Sequence, residues 1–528
     1  MTQTTILDDV LLFMPDGITT RGAIAWAGEG LLAVGDGAMV RDRAGSGARR
    51  INLPGALVLP GLTDCHTHML PSAIELSQVR LRSARSRREF VDRVAAWISR
   101  NPSAPWILGG QWDDALWGNE PPTRDWVDPV APERPLLLYR YDMHSALVNS
   151  AALRVAGISR ETPDPPGGRI VRHERTGEPT GWLVEKAMDL VSSRIPPMSD
   201  PEKIRLLRHA FHEAQRLGLT AVHDLVWRFD HRGLHRAALE ADPCGLTVFL
   251  RSPIEELSRF LEGRREGGGG RLVLHGVKGF TDGSLGSRSA WLREPYRGSL
   301  TDTGVSWVED QDAFAAMVRD AAAHEVPVSI HAIGDAAIGY TLGVFHDCIR
   351  RGVGSAYLRI EHFQHPSAED ILAVDHPRLV VSGQPLHLSF DAPAAEERLG
   401  PERAALSFPF RTLLGLNCNL VFGSDWLVSD LNPLLGIHAA VTRKDSQGRW
   451  PQGWVPEERI SVAEAVRCYT ANAAKAVGWG GRAGELRAGL RADLTVLDRD
   501  ITAVSPDRIP DARVLMTVAG GAVVHDGR

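Results

Sequence analysis

Short apolar runs, each closed by a polar cluster, recur along the middle of the chain: LVLPGLTDCHTH, LTAVHDL, LTVFLRS, LVLHGVKGFTDG, VPVSIHAIGD, LRIEHFQH, LVVSGQP and NLVFGSDW. Runs of this length bounded by turn residues read as buried strands. Most are followed by segments whose apolar positions recur at helical spacing, as in DAFAAMVRDAAAHE and AIGYTLGVFHDCIRRG. That alternation of strand and helix predicts parallel strands. Eight such units predict an α/β fold built on a (β/α)8 (TIM) barrel.

The two ends have a different texture. TTILDDVLLFM and GAIAWAGEGLLAVG near the start, and ADLTVLDRDI and VLMTVAGGAVVHDG near the finish, are short strands separated by Asp and Gly turns. They predict one small β-sandwich formed by residues 1–57 and 485–528, with the barrel over 58–484. One crossover is too long to be a helix: about 70–215, between the first and second barrel strands, carries its own strands and helices and reads as an inserted subdomain. A loop leaving the C-terminal end of a barrel strand adjoins the active site, so the insertion is expected to cap it. GRREGGGGR at 263–271 reads as a flexible loop without chemistry.

Composition narrows the classes. A net charge of −6 over 528 residues, with no basic stripe, argues against nucleic acid. No apolar run reaches the roughly 18 residues of a membrane span, and MTQTTILDDVLLFMPDG lacks the layout of a signal peptide, so the protein is expected in the cytoplasm. Cys65, Cys244, Cys348, Cys418 and Cys468 have no paired spacing, which argues against disulfides or a zinc knuckle and leaves Cys65 a core residue.

Barrel enzymes carry reacting groups at the C-terminal strand ends. Here the first strand ends in His66 and His68, two apart and therefore on one face. The fourth carries Lys278, the fifth ends in His331, the sixth in His362 and the eighth in Asp425. Four imidazoles and a carboxylate suit a divalent metal, with Zn2+ the first choice and iron, manganese or nickel as alternatives. One zinc would leave ligands over, so one or two ions per chain are expected. An ammonium would repel them, but an N-carboxylated Lys278 would supply two bridging oxygens. The chain has five lysines among 59 basic residues, so a lysine there is not a default choice.

PGLTDCHTH, VKGFTDGSLGSRSA, SIHAIGDAAI, RIEHFQ and FGSDW together resemble the metal-dependent amidohydrolase superfamily, in its YtcJ-like branch. The resemblance spans nearly the whole chain. It implies a distorted barrel and metal-assisted hydrolysis of amide or related C–N bonds in a small molecule. His66 and His68 match the first metal site and His331 and His362 the second. Asp425 matches the catalytic carboxylate, which takes a proton from water and returns it to the departing amine, and Lys278 the strand-four lysine. Glu185, in GWLVEKA, is the competing bridging ligand.

Other roles compete with these. A helix N-cap is the competing role for Asp425, and Asp335 reads as a cap. His223 and Asp224 end the second strand and suit a supporting role behind a ligand. His144, Ser284 and Arg288 are candidate substrate contacts. Trp106, Trp112, Trp117 and Trp126 suit either a pocket wall or ordinary core. The same site serves equally for a lactone, carbamate, cyclic urea or amidine, and a silent scaffold is the remaining alternative. A homodimer is compatible with all of these.

Overall fold

The computed structural model describes residues 3–141, 143–241, 245–266, 270–445 and 447–528. Cys244 and residues 267–269 of the glycine-rich loop lie outside them. Eight parallel strands form the barrel: β1 Leu62–Thr67, β2 Leu219–Leu225, β3 Thr247–Pro253, β4 Leu272–Phe280, β5 Val328–Ala332, β6 Leu358–His362, β7 Leu379–Gly383 and β8 Asn419–Phe422. Each pairs with its neighbour in chain order. Several are buried at every position, as strands covered on both faces must be, which is why they read as continuous apolar runs.

Between β8 and β1 the closure is made just beyond the strands. Thr67 bridges Trp426, His68 N donates to Trp426 O at 2.9 Å, and Asp425 N donates to His66 O at 2.7 Å. The last contacts that close the barrel thus set Asp425 beside the two histidines of β1. Register shifts between β1 and β2 and between β3 and β4 distort the cylinder.

The helices follow the apolar spacing. Gln311–Ala323 buries Phe314, Ala315, Val318, Ala321 and Ala322 on one face and begins on Asp310, whose carboxylate accepts from Ala313 N at 3.0 Å. Asp335 is not a cap. It is the first residue of the helix Asp335–Arg350, capped by Gly334, and its carboxylate accepts from the backbone of Arg293 at 2.9 Å. No helix among the described residues is long and apolar enough to cross a membrane.

Both chain ends enter one eight-stranded sheet, in which Leu57–Pro60 pairs antiparallel with Leu494–Leu497. The sheet folds back on itself: Leu31 N donates to Leu490 O at 2.8 Å and Trp26 Nε1 to Gly521 O at 2.9 Å. Leu12, Trp26, Val58, Val496 and Met516 fill the enclosed core, each contributing about 1.5–3 kcal/mol by leaving water. The chain passes into β1 through Gly61, where a Cβ would lie 2.3 Å from Thr220 Oγ1, so a side chain has no room.

A second compact unit is Leu70–Leu206. Its boundary falls within the helix Asp200–Arg216, whose second half belongs to the barrel-bearing unit and has Leu207, Ala210, Phe211 and Ala214 buried. The inserted unit has its own six-stranded sheet. Trp106, Trp112 and Trp126 are buried in its cores, with Trp117 packed against one of them, so they are core and not pocket wall.

Candidate metal centre and active site

His66, His362 and Asp425 are all buried, and one ligand atom from each lies within 4.8 Å of the others. Asp425 Oδ1 is 3.4 Å from His66 Nε2 and 3.3 Å from His68 Nε2. The His331 ring lies 4.4 Å from that of His362. Three strand ends and the turn after β8 thus bring together five of the six residues that the apolar pattern singled out.

Both β1 imidazoles are oriented from behind. His68 Nδ1 donates to Leu225 O at 2.9 Å, leaving Nε2 toward Asp425. The support from β2 is therefore a carbonyl, not the side chains of His223 or Asp224. Asp224 instead accepts from Met69 N at 2.7 Å and pairs with His235 Nε2 at 2.7 Å, pinning the turn after His68. His66 Nδ1 meets Glu361 Oε2 at 2.8 Å, so its Nε2 is the free nitrogen. Glu361 is in turn held by Arg359 Nη2 at 2.9 Å, and the same guanidinium reaches Ser382 Oγ at 2.7 Å and His223 Nδ1 at 3.0 Å.

Glu361 was not singled out by the sequence, although it precedes His362 in RIEHFQ. Alternation places Arg359 and Glu361 on one face of β6 and His362 on the other. A left-handed backbone at His362, φ +75°, breaks that period and brings both residues to one site. Phe363 at +49° and Asp425 at +56° share the conformation, which costs about 1–3 kcal/mol each and persists only where surroundings enforce it. Phe363 N donating to Ala332 O at 3.1 Å and Asp425 N to His66 O at 2.7 Å supply that constraint. His387 was also missed, because it lies on the helix Pro385–Leu399 beyond β7. Its Nε2 is 3.9 Å from Asp425 Oδ2.

Asp425 caps no helix among the described residues; the next one, Pro433–Thr442, begins on Asn432. Burial works against its charge, yet the facing imidazoles hold its carboxyl well below the usual range. Burial also pulls His66 down to about 4, keeping the ring neutral. Lys278 Nζ is buried with no hydrogen-bond partner, 4.9 Å from the Phe280 ring centre. Desolvation pulls its ammonium down to about 8. Deeper in the barrel Arg251 is buried too, with Nε and Nη1 unpartnered.

The remaining candidates have partners of their own. Glu185 belongs to the inserted unit, where its Oε1 lies 3.0 Å from His144 Nδ1, and both side chains are more than half exposed. Ser284 Oγ bonds to Ser287 Oγ at 2.9 Å, and the Arg288 fork is taken by Asp302 at 3.0 and 2.8 Å. Cys65 packs against Val380, Val421 and Ala473 in the core.

A model of the amidohydrolase family matches residues 49–525. The chain is 35% identical over 511 residues to the protein LONG AFTER FAR-RED 3 of Arabidopsis thaliana, covering 94% of this chain and 87% of that one. It is 32% identical over 486 residues to the putative amidohydrolase YtcJ of Bacillus subtilis, covering 90% of each. With the N-substituted formamide deformylase of Arthrobacter pascens the identity is 26% over 526 residues, 96% of this chain and 95% of that one. Among solved structures, an uncharacterised metal-dependent hydrolase from Pyrococcus furiosus superimposes with a TM-score of 0.76 at 27% identity, over 94% of this chain and 100% of that one.

Proposed function

This chain belongs to the amidohydrolase family, in its YtcJ-like branch, and from that premise we propose that it cleaves an amide-type C–N bond, in an N-acyl or N-formyl compound, at the cluster of His66, His362 and Asp425. The convergence of these three buried ligand atoms within 4.8 Å carries the reading. The relative named for deformylation of N-substituted formamides supports the choice of bond.

The donor set fits a divalent metal, with zinc the best match to neutral imidazole and carboxylate. His66, His68, His331, His362 and Asp425 would hold one or two ions. A divalent ion there supplies Lewis acidity, which brings the ionisation of water from about 15.7 to about 7 and polarises a carbonyl. Lys278 is our choice for the bridging ligand over Glu185. Its unpartnered Nζ and its ionisation near 8 provide the free amine that carbon dioxide adds to. The resulting carbamate would also offset Arg251 and Arg359, two buried cations that share Glu361.

The chain's own groups then divide the work. Asp425, ionised and set between His66 and His68, orients the attacking water, accepts its proton and delivers it to the departing amine. Glu361 holds His66 in the tautomer that presents Nε2. Metal-reconstituted protein assayed against a panel of N-formyl and N-acyl amines tests the reading. Turnover is expected, and Asp425→Asn should lower kcat by about 10²–10⁴-fold with a smaller change in KM. Hydrolysis of a lactone or cyclic urea in place of every amide would overturn the assignment of the bond. A fully active Asp425→Asn enzyme would overturn the role of Asp425.

A further inference from the structure

Most large apolar side chains of this protein are buried, yet several aromatic rings around the metal cluster are not. Trp227, after β2, is 63% exposed; Phe280, ending β4, is 40% exposed; Trp307 is 52% and Phe390 45% exposed. Each one is in ring contact with an imidazole of the site. Trp227 lies 5.8 Å from His68. Phe280 lies 5.5 Å from His331, and Trp307 stacks on that same imidazole at 6.2 Å with an interplanar angle of only 10°. Phe280 and Trp307 also touch each other, at 6.1 Å. Phe390 lies 5.2 Å from His387, whose own ring stacks 6.1 Å from His362.

Two βα loops, one helix and one strand end therefore converge on the cluster with aromatic faces left partly in water. Core packing does not explain them, since a ring half in solvent forgoes much of its burial energy. Trp227, Phe280 and Trp307 stand against candidate ligand imidazoles, and Phe390 against His387, which itself stacks on His362. The arginine that the sequence offered for gripping a substrate carboxylate, Arg288, is already held by Asp302.

We propose that Trp227, Phe280, Trp307 and Phe390 form the specificity subsite of this centre and that its substrate carries a planar apolar group of aryl size beside the scissile bond. Offset-stacked and edge-to-face contacts at ring separations of about 4.5–7 Å are the geometry such a group adopts with these side chains. The inference rests on the cluster being the hydrolytic centre, but its test does not depend on turnover.

Zinc-loaded protein is titrated calorimetrically with benzohydroxamate and with acetohydroxamate, which carry the same metal-binding head and differ only in the phenyl or methyl substituent. Benzohydroxamate should bind at least about tenfold more tightly. Trp307→Ala and Trp227→Ala should each narrow that preference severalfold, and Trp307→Phe should largely restore it. Equal affinities, or a preference untouched by both alanine variants, would overturn the proposal. Failure of both hydroxamates to bind would overturn both the subsite and the metal centre. An aryl preference that persists in a protein hydrolysing no amide would support the subsite and overturn only the C–N reading.

Discussion

Glu361 is the residue on which the geometry of the centre turns. It is fully buried and faces His66 Nδ1 on one side and the Arg359 guanidinium on the other. Carboxylates behind ligand histidines fix the tautomer and raise ligand basicity, and their loss typically costs 10–100-fold in metal affinity, as an order of magnitude. Glu361→Gln keeps the shape and one acceptor oxygen while removing the charge. It should weaken metal binding by about that factor, measured by competition with a chelator. It should also lower Tm, because a buried Arg359 that loses its partner charge costs about 3–5 kcal/mol. Unchanged metal affinity in a folded variant would rule out this role for the Glu361 charge.

Among the secondary elements, the helix Val462–Cys468 links a capping motif to the barrel. Ser461 and Glu464 form a capping box, in which Glu464 Oε2 accepts from Ser461 N at 2.7 Å. Arg411 adds a two-pronged contact to the same carboxylate at 2.7 and 2.6 Å. Just past the helix, Tyr469 O accepts from Thr63 N at 2.8 Å, so the element anchors the start of β1. The Arg411 hydrogen bonds, ahead of other causes, lower Glu464 from 4.5 to about 2. A carboxyl depressed by folding stabilises the native state above its unfolded value, and this is lost as pH falls from 4.5 toward 2. Glu464→Gln should therefore cost roughly 1 kcal/mol near neutral pH. The gap in Tm between parent and variant should shrink on acidification through that window, and a pH-independent gap would rule out the charge as its source.

At the scale of the whole molecule, the proposed metal ties the barrel together. Its candidate ligands come from β1, β5, β6 and the turn after β8, so an ion bound there joins segments from residue 66 to residue 425. A ligand that binds only the native state stabilises it by about 2.7 kcal/mol at a free concentration of 100 times Kd. Elemental analysis of protein purified without chelator should show between one and two equivalents of transition metal per chain. Removing it should lower Tm by roughly several degrees, and adding zinc back should restore it. A protein that carries no metal, melts identically with and without chelator and retains full activity would contradict the proposed centre.

Period and composition along the chain were enough to read the eight strands, the alternation with helices and the polar residues that end the strands. Each of those features is local: a strand covered on both faces must be apolar throughout, and a helix must repeat its apolar positions every three to four residues. His66 and His68 on one face followed from alternation alone. Tertiary structure decided what depends on distant segments meeting. The tautomer of His68 is set by a carbonyl 157 residues away, and that of His66 by Glu361, 295 residues away. The left-handed turns at His362 and Asp425 override the strand period, so only the folded backbone shows that Glu361 and His362 share a site. Burial of the Lys278 amine and the engagement of Arg288 by Asp302 belong to the same class. Strand period constrains the direction of a side chain, whereas its partner, its desolvation and its tautomer are fixed only when the closed barrel brings remote parts of the chain within hydrogen-bonding distance.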